Sequence, residues 1–240
     1  MREVTWGGLD CIVTGGSDRQ GGGDGPVVVL LHGFGAPGDD LVSLAPAFRT
    51  PREVRYVFPA APIDLGWGRA WWMIDMERLQ REQAAGRPRQ LSEQAPEGLI
   101  EARAHVVELL ADLKKELGAA PLVLGGFSQG AMLSCDVALR SPPGTLAGLV
   151  LMSGTFLTPA EWTALMPRHA SLPVLMSHGH DDPLLPFAHA VLLRDAWRAA
   201  GAQVDWFEFD GGHGIPESVV VGVSRFLARV TATPGPAPSR

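Results

Sequence analysis

The chain has 240 residues, a formal net charge of −6 and 46% hydrophobic residues, enough for one substantial core, and a single domain is expected over residues 1–230. The densest basic run, Arg78 to Arg89, is interleaved with Glu77 and Glu82, which argues against a nucleic-acid partner. No apolar run approaches the roughly 20 residues that span a bilayer, the first ten residues lack the order of a secretory signal, and Cys11 and Cys135 offer neither metal-ligand spacing nor a paired framework. A cytoplasmic protein without stable membrane insertion is expected; composition sets no oligomeric state.

Val4 to Trp6 and Leu9 to Thr14 are predicted to form an antiparallel hairpin turning at Gly7-Gly8. Gly15 to Gly25, glycine-rich and polar, is expected to be a flexible connection. Val27 to Leu31 is a continuous apolar run, the pattern of a strand buried on both faces, and it empties into His32-Gly33-Phe34-Gly35. A further strand is predicted at Val54 to Phe58. The stretch from Gly66 to Pro96 is the least regular part of the chain and is broken by Gly86-Arg87-Pro88. It fits a partial lid over an active site (66–96) or a solvated surface excursion. Within it Trp71, Trp72 and Met73 are candidates to line an acyl pocket, plain packing being the alternative.

A helix follows from Glu97 to Leu117, where Leu99, Arg103, Val106, Leu110 and Leu113 recur near helical spacing. Helices are predicted again at Ser128 to Arg140, Pro186 to Ala200 and Glu217 to Val230, and strands at Leu146 to Met152, Pro173 to Ser177 and Gln203 to Phe209. This alternation forces parallel pairing through right-handed crossovers. The expected fold is therefore α/β, with a mostly parallel central sheet and helices on both faces. The proline-rich tail, 231–240, is expected to be disordered.

The most informative stretch is Pro121 to Ala131, a strand-like apolar run that breaks into Gly126-Phe127-Ser128-Gln129-Gly130 and continues with helix formers. It reads as a nucleophile elbow, a sharp strand-to-helix turn that needs small residues two before and two after the serine. The helix beginning there points amide N–H groups and its positive dipole end at the hydroxyl. Downstream, Leu172 to Met176 leads into Ser177-His178-Gly179-His180-Asp181-Asp182-Pro183, and Val204 to Phe209 leads into Asp210-Gly211-Gly212-His213-Gly214. The order Ser, Asp, His is that of the α/β-hydrolases, and all three groups follow the carboxyl ends of predicted strands, where open parallel sheets bind ligands. Either Asp181 or Asp182 fits as the acid, and His213 as the base. The glycine-rich loop after the 27–31 strand can turn the Phe34 N–H, together with the Gln129 N–H, toward a substrate oxyanion. His32 is expected to support that loop by hydrogen bonding.

Taken together, Leu31-His32-Gly33-Phe34-Gly35, Phe58-Pro59-Ala60-Ala61-Pro62, Gly126-Phe127-Ser128-Gln129-Gly130-Ala131, His178 to Pro186 and Gly212-His213 resemble the phospholipase/carboxylesterase family, the acyl-protein-thioesterase-like bacterial esterases of the α/β-hydrolase fold. The resemblance covers most of the chain from about Val27 onward. It implies Ser128, Asp182 and His213 as the triad, since the family's acid directly precedes its Pro-Leu-x-Pro segment, and Leu184 in that segment joins Trp71, Trp72 and Met73 as a candidate substrate contact. The chain departs from the pattern with Leu185, where valine is more usual, and with the Trp- and Arg-rich segment after Pro62.

The activity so implied is that of a serine carboxylesterase acting on short- to medium-chain carboxylic esters through an acyl-enzyme, without metal or organic cofactor and with a small-molecule ester as its partner. A lysophospholipase or an acyl thioesterase would use the same triad. A remote alternative is a metal-dependent hydrolase, because His178-x-His180-x-Asp182 after a strand has metal-ligand spacing, although Pro183 stands where a further histidine would be needed.

Overall fold

The computed structural model describes residues 1–85, 90–118 and 120–232; the Gly86-Arg87-Pro88 break and most of the predicted tail lie outside them. In chain order the elements are β1 (Arg2–Trp6), β2 (Leu9–Gly15), β3 (Val27–Leu31), a 3-10 turn (Asp40–Ser43), α1 (Leu44–Ala47), β4 (Arg55–Pro59), β5 (Ile63–Asp64), β6 (Arg69–Ala70) and α2 (Met76–Ala84). Then come α3 (Leu99–Leu117), β7 (Leu122–Phe127), α4 (Gln129–Arg140), β8 (Gly148–Met152), α5 (Pro159–Leu165), a 3-10 turn (Met166–His169), β9 (Val174–Gly179), α6 (Phe187–Ala199), β10 (Val204–Phe209) and α7 (Glu217–Val230).

Eight strands form one sheet in the order β1-β2-β4-β3-β7-β8-β9-β10. Within this sheet antiparallel pairing is confined to the amino-terminal side, β1 with β2 and β2 with β4, and from β4 across to β10 every neighbouring pair is parallel; β5 and β6 form a separate antiparallel pair. The reason β3 reads as unbroken apolar sequence is visible in its two faces. Val27, Val29 and Leu31 belong to the core shared with α3 to α6, whereas Val28 and Leu30 belong to the core shared with α7. With both faces covered no position on the strand can be polar, and this is the α/β-hydrolase architecture. Because the strands run parallel, the loops that leave β3, β7, β8, β9 and β10 all emerge at one edge, which gathers residues 32–35, 128, 153, 180–185 and 210–214 together.

Three regions differ from the sequence expectation. Residues 15–25 fold back on themselves instead of running as an open connection: Asp18 Oδ1 accepts the N–H groups of Gln20 and Gly22 at 2.7 and 2.9 Å, and the Gly21 N–H reaches Gly15 O at 2.9 Å. α5 lies in a stretch with no predicted element. It is anchored by Trp162, fully buried, whose indole N–H reaches Asp136 at 3.0 Å, where Arg103 and Arg140 also converge. The 66–96 segment contains β6 and α2 and is tied to the body, with Ile74 and Leu91 packed on the core and the Glu93 carboxylate accepting the Ala160 N–H at 3.1 Å.

Candidate active site

β7 ends at Phe127 and α4 begins at Gln129, so a single residue must turn the chain from strand to helix. That residue is Ser128, held at φ 55°, ψ −116°, a backbone state of the kind that costs of order 1–3 kcal/mol and persists only where the surroundings enforce it. They do so through close backbone approach. A Cβ on Gly126 would meet the Gly130 carbonyl carbon at 2.6 Å, and one on Gly130 would meet His32 O at 2.6 Å, with Leu31 O nearer still in both cases. The Ser128 N–H is fixed to Met152 O at 2.9 Å. The loop after β3 comes close to Ser128: a Cβ on Gly33 would lie 3.3 Å from that of Ser128.

Asp182 and His213 follow the ends of β9 and β10. Asp182, its side chain buried, places Oδ2 2.6 Å from His213 Nδ1, while Oδ1 accepts the N–H groups of Leu184 and Leu185, each at 2.9 Å. Burial alone would push this carboxyl up. Hydrogen bonds from His178, His213 and the Leu185 amide outweigh it and hold the group well below the usual carboxylate range. The neighbouring Asp181 is exposed, with its N–H on Gly211 O at 3.0 Å. The His213 ring packs on Phe127, the residue before the serine, with centroids 4.8 Å apart, and its loop is steadied by the Ser153 hydroxyl donating to Gly214 O at 3.3 Å.

On the other side of Ser128 a hydrogen-bonded network carries the 32–35 loop. The His32 Nε2 accepts the Ala61 N–H at 2.9 Å, so the ring's proton sits on Nδ1, which donates to Gly33 O at 2.7 Å. Burial pushes the His32 pKa down. The Gln129 side chain closes the network: Oε1 accepts the Trp71 N–H at 2.9 Å and Nε2 donates to Trp72 O at 2.8 Å, while the Trp71 indole N–H reaches His32 O at 3.0 Å. Sequence reasoning gave Gln129 only its backbone N–H. A buried amide beside the nucleophile is a hint of such a clamp, but nothing in the pattern names its partners 57 and 58 positions away.

Residues 20–231 match the phospholipase/carboxylesterase family. The chain belongs to that family. Among its relatives, acyl-protein thioesterase 1 of Neurospora crassa is 26% identical over 83% of this chain and 84% of its own length. Esterase YpfH of Escherichia coli is 33% identical over 41% of this chain and 40% of its own. The crystal structure of esterase PE8 superposes with a TM-score of 0.75 at 27% identity, covering 95% of this chain and all of the other. The protein is accordingly a hydrolase of the carboxylesterase and thioesterase type.

Within this family frame the four expected substrate contacts separate into two pairs. Trp71 and Trp72 are sealed in the core at 1% and 2% exposure and are committed to the Gln129 clamp, whereas Met73 and Leu184 are exposed at 60% and 40%. Trp67, 70% exposed, stands edge-on to Phe34 at 6.2 Å. The three residues of the metal-hydrolase alternative do not converge. His178 is buried against Asp182, but His180 turns outward to Asp210 at 2.9 Å, and among the described residues no group of three His, Cys, Asp or Glu could hold a metal ion. No helix of the described residues is long and apolar enough to cross a membrane.

Proposed function

We propose that the protein is a serine carboxylesterase that hydrolyses short- to medium-chain carboxylic esters with Ser128, Asp182 and His213 as its triad. The observation that carries this reading is the 2.6 Å contact of Asp182 with His213 Nδ1, made by a histidine that packs against the residue preceding an elbow serine. A carboxylate on Nδ1 fixes the proton there and leaves Nε2 as the acceptor, so His213 takes the Ser128 proton as Oγ bonds to the ester carbonyl carbon. Negative charge collects on the carbonyl oxygen, facing the Phe34 and Gln129 amides, each such donor being worth roughly 3 kcal/mol in the transition state. Collapse expels the alcohol, which leaves with the proton from His213. Water then attacks the acyl-enzyme, gives its proton to the same nitrogen, and the acid departs as Oγ is reprotonated.

A thioester would follow the same course with a thiolate leaving group, and the similarity to an acyl-protein thioesterase over most of the chain supports this second reading. In either case the exposed Trp67 beside Phe34, with Met73 and Leu184, meets the acyl or leaving group. Esters graded in acyl length, assayed beside an acyl thioester and a lysophospholipid, rank the substrates; highest kcat/KM on the thioester would displace the esterase reading. A fluorophosphonate should label Ser128 alone, and Ser128→Ala should lose about 10⁴- to 10⁶-fold in kcat. Labelling at another residue, or near-normal turnover in that variant, would sink the triad.

A further inference from the structure

His178 is wholly buried at the end of β9, four residues before the acid, and the mechanism above does not use it. Its Nε2 lies 2.8 Å from Leu185 O and 3.2 Å from Asp182 Oδ2. Both neighbours are acceptors, so Nε2 carries the ring's proton. The other nitrogen, Nδ1, is buried and faces no hydrogen-bond partner. An apolar side chain would fill the same space without leaving a polar atom unsatisfied, a recognised cost in an interior. What the imidazole supplies that an apolar group cannot is the proton on Nε2.

The position of that proton bears on the acid loop. Asp182 Oδ1 is occupied by the Leu184 and Leu185 amides, and Oδ2 points at His213. Leu185 is therefore gripped from two sides, its N–H by the carboxylate and its carbonyl by His178. One ring thus ties the end of β9 both to the returning limb of the loop and to the oxygen that His213 meets. We infer that His178 is a positioning residue for the acid: its Nε2 proton, shared between the Leu185 carbonyl and Asp182 Oδ2, sets the rotation of the carboxylate presented to His213. The inference rests on the triad reading and adds to it a histidine that does not touch substrate.

The test is a double-mutant cycle on a short-chain ester. His178→Leu should lower kcat about 10- to 100-fold, the range seen when partners behind functional ligands are removed, with KM within about threefold. His178→Gln, whose amide N–H reaches the place of Nε2, should restore most of the loss. Placed on Asp182→Asn, His178→Leu should cost less than about twofold more, because the carboxylate it positions is already gone. Unchanged kcat in His178→Leu, a Gln variant no better than Leu at equal Tm, or the full loss repeated on Asp182→Asn each overturns the inference. Full activity in Asp182→Asn would sink the triad reading and the positioning role with it, whereas loss there and none in His178→Leu sinks the positioning role alone. Should the Leu variant not fold, nitrogen-15 NMR of the wild-type imidazoles decides: His178 is expected as the Nε2–H tautomer, and an Nδ1–H tautomer overturns the proposal.

Discussion

On the acid side of Ser128 the supporting contacts converge on one charge: two backbone amides and two imidazoles surround the Asp182 carboxylate. On the oxyanion side the contacts to the loop are between uncharged groups, and a charge, the Arg69 guanidinium, enters one step back, donating to Ala61 O at 2.9 Å. His32, Trp71 and Gln129 hold the 32–35 loop through neutral hydrogen bonds between buried groups. The difference follows from the work each side does. In the proposed mechanism a base that becomes an imidazolium needs a fixed negative partner, whereas amides that meet a developing oxyanion need only be held still. Substitutions on the acid side should accordingly act on kcat first, and those on the oxyanion side on stability and kcat together.

The largest separation is expected between the two adjacent aspartates. Asp182→Asn should lower kcat by about 10⁴-fold, because an amide opposite Nδ1 favours the wrong tautomer of His213. Asp181→Asn removes a charge that is exposed and should stay within about tenfold of wild type. Steady-state kinetics on one ester decides; a more damaging Asp181→Asn would place the acid one residue earlier.

How much of this was legible before the structure follows the same division. The proposed triad stands out in the sequence because each member follows a strand within a short glycine- or proline-marked motif, signals confined to a few consecutive residues. The oxyanion supports do not, since the Gln129 amide finds Trp71 and Trp72 through tertiary contact alone. The same holds for the fold. β3 and β7 announce themselves by apolar runs buried on both faces, whereas β5 and β6 have two residues each and α5 has seven, too few for any period to show. In the 15–25 loop the abundance of glycine concealed a fold made by a single side chain, Asp18, which binds two amides of its own turn.

The oxyanion side is tested at Gln129. Gln129→Leu keeps the backbone N–H but strands the Trp71 N–H and the Trp72 carbonyl in the interior, each at about 1–3 kcal/mol. Thermal unfolding should shift downward by several degrees, and kcat should fall about tenfold as the loop over Ser128 loosens. A variant as stable as wild type with kcat cut by more than about 10³ would mean that the side chain meets the substrate directly and that the division drawn here is wrong.

The smallest effect expected is the share of His32 in the pH dependence of stability. Burial lowers the pKa of His32 in the folded protein, whereas in the unfolded chain it titrates near about 6.5. Below that pH the unfolded state binds a proton that the folded state refuses, so this histidine's contribution is complete above about pH 6.5 and is lost as pH falls toward the folded pKa. The slope cannot exceed about 1.4 kcal/mol per pH unit for one group. His169, also lowered by burial, adds in the same direction. Asp182 is lowered as well, but its contribution, present above about pH 3.9, is lost only in stronger acid. Denaturant unfolding between pH 7 and 5 should therefore show stability falling with pH in wild type and less steeply in His32→Gln, with Asp182→Asn keeping the wild-type slope. An unchanged slope in His32→Gln would show that its imidazole titrates freely in the folded protein, and the neutral network that sets the oxyanion side apart from the acid side would not stand.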